Sequence, residues 1–197
     1  GHVLADLMTD MQFMASRTQQ TLFSSLLDAR DIHGGNHEVA EDLERQPLSY
    51  NALITRSLII GKALKQVTAL NENVGILLPN SSKTLCVLLG LSVHQRVPAM
   101  LNYSTGSAGM IAASHIAQVK TVLSSRRFIE LAHLDNEVAS LKAHVNVIYL
   151  EDLAQKITTN DKLLGAWQSK TARFWYKNHV DANSPAVILF TSGSDCL

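Results

Sequence analysis

The densest run of chemistry-bearing residues lies where Ala186-Val187-Ile188-Leu189-Phe190 leads directly into Thr191-Ser192-Gly193-Ser194. A buried strand that delivers hydroxyls and a glycine to a sheet edge can cradle an oxyanion. Hydroxyl and backbone N–H groups wrap the oxygens, and glycine lets the backbone approach closely. The same spacing also describes an ordinary strand-to-loop turn, and no G-x-x-x-x-G-K-[ST] phosphate loop occurs in the chain. A second arrangement is His37-x4-Asp42, a spacing at which a histidine can act as base while an aspartate orients it. Gly34-Gly35 precedes the pair, and the bland reading is two exposed hairpin residues. His33 and His37 are four apart, but the intervening glycines disfavour the helix that would align them on a metal. Ser124-Ser125-Arg126-Arg127 offers a helix amino terminus to an anion, or simply a helix cap with solvated arginines; the cap is the expectation. Thr105 to Gly109 lacks a full G-x-G-x-x-G and reads as a loop opening a helix, and His94 reads as a helix-ending residue.

These residues need a scaffold, and the hydrophobic pattern supplies one. Val74 to Leu78, Val97 to Leu101, Lys120 to Leu123, Val145 to Leu150 and Ala186 to Phe190 are continuous apolar runs, as strands covered on both faces must be. Helix-like stretches fall between them at Tyr50 to Val67, Ser82 to His94, Ser107 to Gln118 and Arg127 to His144. This alternation predicts an α/β fold with an open, mostly parallel sheet flanked by helices, and a site beyond the carboxyl ends of its strands. Near the start, His37 to Asp42 and Gln46 to Tyr50 predict a small hairpin, with Ser49 capping the next helix. Ala154 to Asn183 is polar with scattered aromatics and predicts peripheral helices. Val3, Leu4, Leu7, Met8, Met11 and Met14 recur at helical spacing, with Asp6 and Asp10 on the polar side, so a packed or linking helix is expected there.

Composition narrows the function classes. Hydrophobic residues make up 46% and charged residues 17%, a globular composition. Lys plus Arg and Asp plus Glu number 17 each, so no net field draws the chain to nucleic acid or acidic lipid. The longest uncharged apolar stretch, Thr84 to Gln95, is well short of the ~20 residues that cross a bilayer. Two cysteines, Cys86 and Cys196, make no disulfide framework and imply a reducing, cytoplasmic-side environment. The start at Gly1-His2 rather than Met points to a cleavage scar or an excised segment.

Ala186 to Ser194 resembles the start of the phosphate loop of the adenylate-forming, AMP-binding superfamily of acyl-activating enzymes. Leu48-Ser49-Tyr50, Val74-Gly75-Ile76-Leu77-Leu78-Pro79-Asn80 and Arg96 to Asn102 are similar to that family's early segment and core strands. Further segments, among them Thr21-Leu22-Phe23, Ala117 to Leu123, Ser125 to Glu130 and Tyr149 to Leu153, resemble the synthetase half of bifunctional acyl-ACP synthetase/2-acylglycerophosphoethanolamine acyltransferases. The resemblance implies that residues 20–197 are the amino-terminal part of an AMP-binding synthetase domain and residues 1–19 a connector helix after an acyltransferase domain. It implies ATP and Mg²⁺ as cofactors, a fatty acid as substrate, and acyl carrier protein or CoA as thiol acceptor in lysophospholipid reacylation. Thr191, Ser192, Gly193 and Ser194 would grip the β- and γ-phosphates.

Cys196 stands where the family loop has glycine, and the Pro-Lys-Gly that completes the loop is not in this sequence. No catalytic or metal-binding residue is therefore assigned, and the chain by itself is expected to be inactive. A non-catalytic nucleotide-binding-like module used for docking or regulation is the alternative. The H-x4-D spacing at His37 and Asp42 matches glycerolipid acyltransferases, but without sequence of acyltransferase size around it. A sheet edge left open is expected to permit self-association.

Overall fold

In the computed structural model, which describes residues 2–15, 20–42, 45–176 and 181–191, all five apolar runs become strands of one sheet. The helix α1 (His2–Ala15) and then α2 (Leu22–His33) lead to an antiparallel hairpin of β1 (Glu38–Ala40) and β2 (Leu48–Ser49). After α3 (Tyr50–Lys65) come β3 (Asn73–Leu77), α4 (Ser82–Val93), β4 (Val97–Met100) and α5 (Gly106–Ile116). β5 (Thr121–Ser124), α6 (Arg126–Ala132), α7 (Asp135–Leu141) and β6 (Asn146–Tyr149) follow. The chain then forms α8 (Leu150–Lys156), α9 (Thr159–Lys170), α10 (Ala172–Tyr176) and β7 (Ile188–Leu189). The sheet order is β6-β5-β3-β4-β7, and every pair is parallel.

Side-chain alternation along the central strands splits the core between the two faces. Leu77 and Val122 join Met110, Ile129, Val138 and Leu141 beneath α5, α6 and α7. Val74, Ile76 and Leu123 turn the other way, onto Leu64, Val87, Leu91 and Leu153 of α3, α4 and α8. Burial on both faces is why these strands read as unbroken apolar runs. A further helical layer lies outside α3 and α4. There Phe23 and Leu27 of α2 and Ala172 of α10 pack on Leu53, Leu58, Cys86 and Leu89.

Helices α3 and α4 cross closely at paired glycines. A Cβ on Gly61 would lie 2.7 Å from the carbonyl oxygen of Gly90, and one on Gly90 would lie 2.8 Å from that of Ser57. Arg96, just ahead of β4, is buried and clamps this layer to the sheet. Its Nε donates to the Thr68 hydroxyl at 3.1 Å, and its terminal nitrogens donate to the carbonyls of His94 and Thr68. Burial lowers the pKa of this guanidinium, and Glu72 opposes that shift.

One local feature departs from the sequence reading, and another leaves it open. The stretch expected as one helix from Arg127 to His144 is two, because His133 adopts φ 54° and ends α6. The apolar stripe of α1 is not packed: Val3, Leu4, Leu7, Met8 and Met11 are each at least half exposed. Among the described residues no helix is long and apolar enough to cross a membrane.

Candidate functional site

Strand connections leave β3 toward β4 and β5 toward β6, in opposite directions, so the topological switch point lies at the carboxyl ends of β3 and β5. The Ser124 hydroxyl, buried there, donates to the Leu77 carbonyl at 2.9 Å and ties the two strand ends together. On the β3 side, Ser81 caps α4 by accepting from the Thr84 N–H, while the Thr84 hydroxyl donates to the Pro79 carbonyl at 2.6 Å. On the β4 side, Asn102 accepts from the backbone N–H and hydroxyl of Ser104, shaping a short 3-10 turn. Gly106 then adopts φ 70° as α5 begins. Thr105 to Gly109 therefore does open a helix.

At the β5 end, the anion position is filled from within the chain. Ser125 caps α6 and donates its hydroxyl to Glu151 at 2.7 Å. Burial works to raise the Glu151 pKa. Hydrogen bonds from Ser125 and from the backbone N–H groups of Glu151, Arg126 and Arg127 outweigh it, so the carboxyl stays below its usual range. Arg126 is not simply solvated, as the sequence reading had it. Its guanidinium makes two 2.8 Å hydrogen bonds to Asp152 and stacks 4.2 Å over the Tyr149 ring. The Ser124–Arg127 segment is thus a helix cap paired with acidic residues of α8. Long-range partners of this kind, such as Glu151, carried no signal in the sequence.

The strand expected to carry the phosphate loop is the outer strand β7. Ile188 is level with Ala99 and Leu189 with Met100, so Phe190 and Thr191 reach the carboxyl edge beside the β4 end. Thr191 is exposed there. Beside it runs an open groove of about 430 Å³, walled by Ile116, Ala117, Ile188, Leu189 and Phe190. Ser192, Gly193, Ser194 and Cys196 lie outside the described residues.

The His37–Asp42 pair is not brought together as a base and its orienter. Asp42 accepts from the hydroxyl of Ser82 at 2.7 Å and from its N–H at 3.4 Å, bridging the hairpin region to the start of α4. His37, exposed, instead joins His33 and Tyr50 in a ring cluster with centroids 5.7 to 6.2 Å apart. Among the described residues, no group of three His, Cys, Asp or Glu side chains gathers as a metal site.

An open parallel α/β sheet with its loops gathered at the carboxyl ends of the strands belongs to the class of α/β folds whose ligands bind beyond those ends. Within that class, the sequence pattern of the AMP-binding enzyme family matches residues 30–196, and the chain belongs to that family. The fold is shared with several solved structures. VinN, in its complex with 3-methylaspartate, is 19% identical with a TM-score of 0.67, over 90% of this chain and 46% of VinN. The Klebsiella oxytoca NpsA N-terminal subdomain is 16% identical with a TM-score of 0.61, over 90% of this chain and 40% of that one. The N-terminal domain of FACL13 from Mycobacterium tuberculosis is 14% identical with a TM-score of 0.58, over 70% and 36% of the two chains. The chain therefore spans less than half the length of each of these three proteins. The architecture is that of the N-terminal subdomain of adenylate-forming enzymes.

Proposed function

We propose that this chain is the amino-terminal scaffold of an ATP-dependent acid–thiol ligase that activates a fatty acid as its adenylate and passes it to acyl carrier protein or CoA. The observation that carries this reading is β7, which brings Thr191 to the carboxyl edge of the sheet within the family-matched region. In the proposed reaction a carboxylate oxygen of the fatty acid attacks the α-phosphorus of ATP, and the bond to the β-phosphate breaks to release pyrophosphate. A thiolate then attacks the acyl carbon and AMP leaves. Such chemistry asks the protein for charge stabilisation and alignment more than for covalent participation.

Thr191, with Ser192, Gly193 and Ser194, would hold the β- and γ-phosphates. The fit is favourable at the one member of the loop that is described: an exposed hydroxyl at the carboxyl edge, beside an open groove. Mg²⁺ would ride chiefly on phosphate oxygens and water, as it commonly does. The apolar wall of Ile116, Ile188 and Leu189 suits one side of an acyl cleft. The sequence resemblance of the Ser125–Glu130 and Tyr149–Leu153 segments supports acyl carrier protein as acceptor and a link to lysophospholipid reacylation, with residues 1–19 as a connector.

ATP–pyrophosphate exchange with fatty acids, measured on the intact parent enzyme, tests the reading. Exchange that requires a fatty acid is expected. Thr191→Val should reduce it by roughly tenfold to a hundredfold, the loss of one hydrogen bond to a charged group. Absence of fatty-acid-dependent exchange, or full activity in both Thr191→Val and Gly193→Val, would overturn it.

A further inference from the structure

Among the described residues, two separate parts of the chain carry clusters of exposed large apolar side chains. One is the α1 stripe of Val3, Leu4, Leu7, Met8 and Met11. The other is on α9 and α10, where Leu163, Trp167, Phe174 and Trp175 are each at least half exposed. That second surface is continuous, because the Trp167 and Trp175 rings are 6.5 Å apart and Phe174 meets Trp175 edge-on at 5.2 Å. Apolar surface of this kind on a soluble domain marks a place of contact.

The two surfaces are complementary in charge as well as polarity. Helix α1 has no lysine or arginine, and Asp6 and Asp10 flank its stripe. On α9 the exposed Lys162 and Lys170 stand on the side of the outward-facing row that contains Leu163 and Trp167. The acidic residue nearest that row, Asp161, is already engaged by Lys62 at 2.7 Å. Lengths also match: at ~1.5 Å per residue, α1 and α9 are both about 20 Å long. Methionine thioethers at Met8 and Met11 suit an indole surface.

We infer that α1 of one copy docks across the Leu163–Trp167–Phe174–Trp175 surface of a second copy, and that the exchange is reciprocal. The single chain leaves both surfaces uncovered, although α1 ends at Ala15 and α2 begins at Leu22. One helix-on-helix contact falls short of the ~1,200 Å² at the low end of stable interfaces, and two-fold symmetry doubles it. This interface is distinct from the β7 sheet edge, and it does not depend on the adenylation reading.

The protein reports on this contact by itself, because its two tryptophans are Trp167 and Trp175. Sedimentation of the 197-residue chain over a concentration series should show the mass doubling. Tryptophan emission should shift to the blue over the same range. Two charge-reversed chains, Asp6→Lys with Asp10→Lys and Lys162→Glu with Lys170→Glu, should each dimerise about tenfold more weakly, since like charges then face each other in both contacts. Their equimolar mixture should recover the original affinity, because opposite charges are restored in both contacts. A monomeric mass at every concentration would overturn the inference. So would concentration-independent tryptophan burial, which marks α1 folding back on its own chain. So would a dimer indifferent to the reversals and to Trp167→Ala, whose interface must lie elsewhere.

Discussion

Asp42 and Arg96 show how much of this molecule depends on single side chains that reach across elements. Asp42→Ala removes the acceptor for Ser82 at the start of α4, and a loss of about 1 kcal/mol is expected from the size of helix-cap effects. His37→Ala should leave stability nearly unchanged, since His37 is exposed in its ring cluster. Urea unfolding of both variants checks the contrast, and the reverse order would restore interest in the H-x4-D pair. Arg96→Met leaves the Thr68 and His94 carbonyls and the Thr68 hydroxyl without their donor, and roughly 3 kcal/mol should be lost. Cys86 illustrates the opposite situation, a residue silenced by its surroundings. Burial pushes its thiol up to about 11, with Arg56 and the Ser57 hydroxyl opposing. In the native state it should resist alkylation at pH 8 and react on unfolding, which peptide mass spectrometry can localise. The folded state holds this proton more tightly than the unfolded chain does. Its contribution to stability is therefore complete below the ordinary thiol range of about 8.5 and falls as pH rises from there toward about 11.

At the level of elements, the α3–α4 crossing rests on absent side chains. Alanine is the better helix former by about 1 kcal/mol, so Gly61→Ala and Gly90→Ala would stabilise an isolated helix. Here the added carbon meets backbone oxygen at 2.7 and 2.8 Å, and backbone cannot rotate away. The clash outweighs the propensity gain, and a net loss of about 1–3 kcal/mol in denaturant unfolding is expected for each. Elements were also where the sequence was most legible. Continuous apolar runs identified all five strands, the inner three because helices cover both of their faces, and Ser49 does cap α3 by accepting from the Ala52 N–H. What was hidden has a common cause. The turns that return the chain to β3, β4 and β5 place Asn71, Gln95 and Gln118 at positive φ, where glycine would have announced a boundary. His133 breaks a helix in the same unannounced way. The anion position at α6 was legible as a cap, but not the fact that Glu151, distant in sequence, would fill it. Of the predicted phosphate-gripping residues only Thr191 falls among those described, and it lies at the carboxyl edge that strand order alone would nominate.

Over the whole molecule, stability should be graded across the sheet. β3 is paired on both sides and buried beneath helices on both faces, whereas β7 contributes two residues at the edge, with Leu189 68% exposed. Amide exchange should therefore be slowest at Val74 to Leu77 and Val122 to Leu123, and fastest among strand amides at Ile188 and Leu189. Equal protection at the centre and at β7 would show that the edge is covered by something more than β4. The outer helices should remain attached longer than their peripheral place implies. Arg173 pairs with Asp28 at 2.9 Å, Arg30 holds the Ser169 carbonyl at 2.8 Å, and Lys62 pairs with Asp161, which pulls that carboxyl well below its ordinary range.

The edge position of β7 has a consequence for how the protein is made. Four of the five strands, and the helices that cover them, lie before residue 157, so a nascent chain can complete β3, β4, β5 and β6 while the residues after them are still inside the ribosome. β7 then needs only to add itself to a finished β4, closing a long loop onto a rigid template instead of searching among loose partners. Of the five strands, the one that bears Thr191 would thus arrive last, at an edge already formed to receive it.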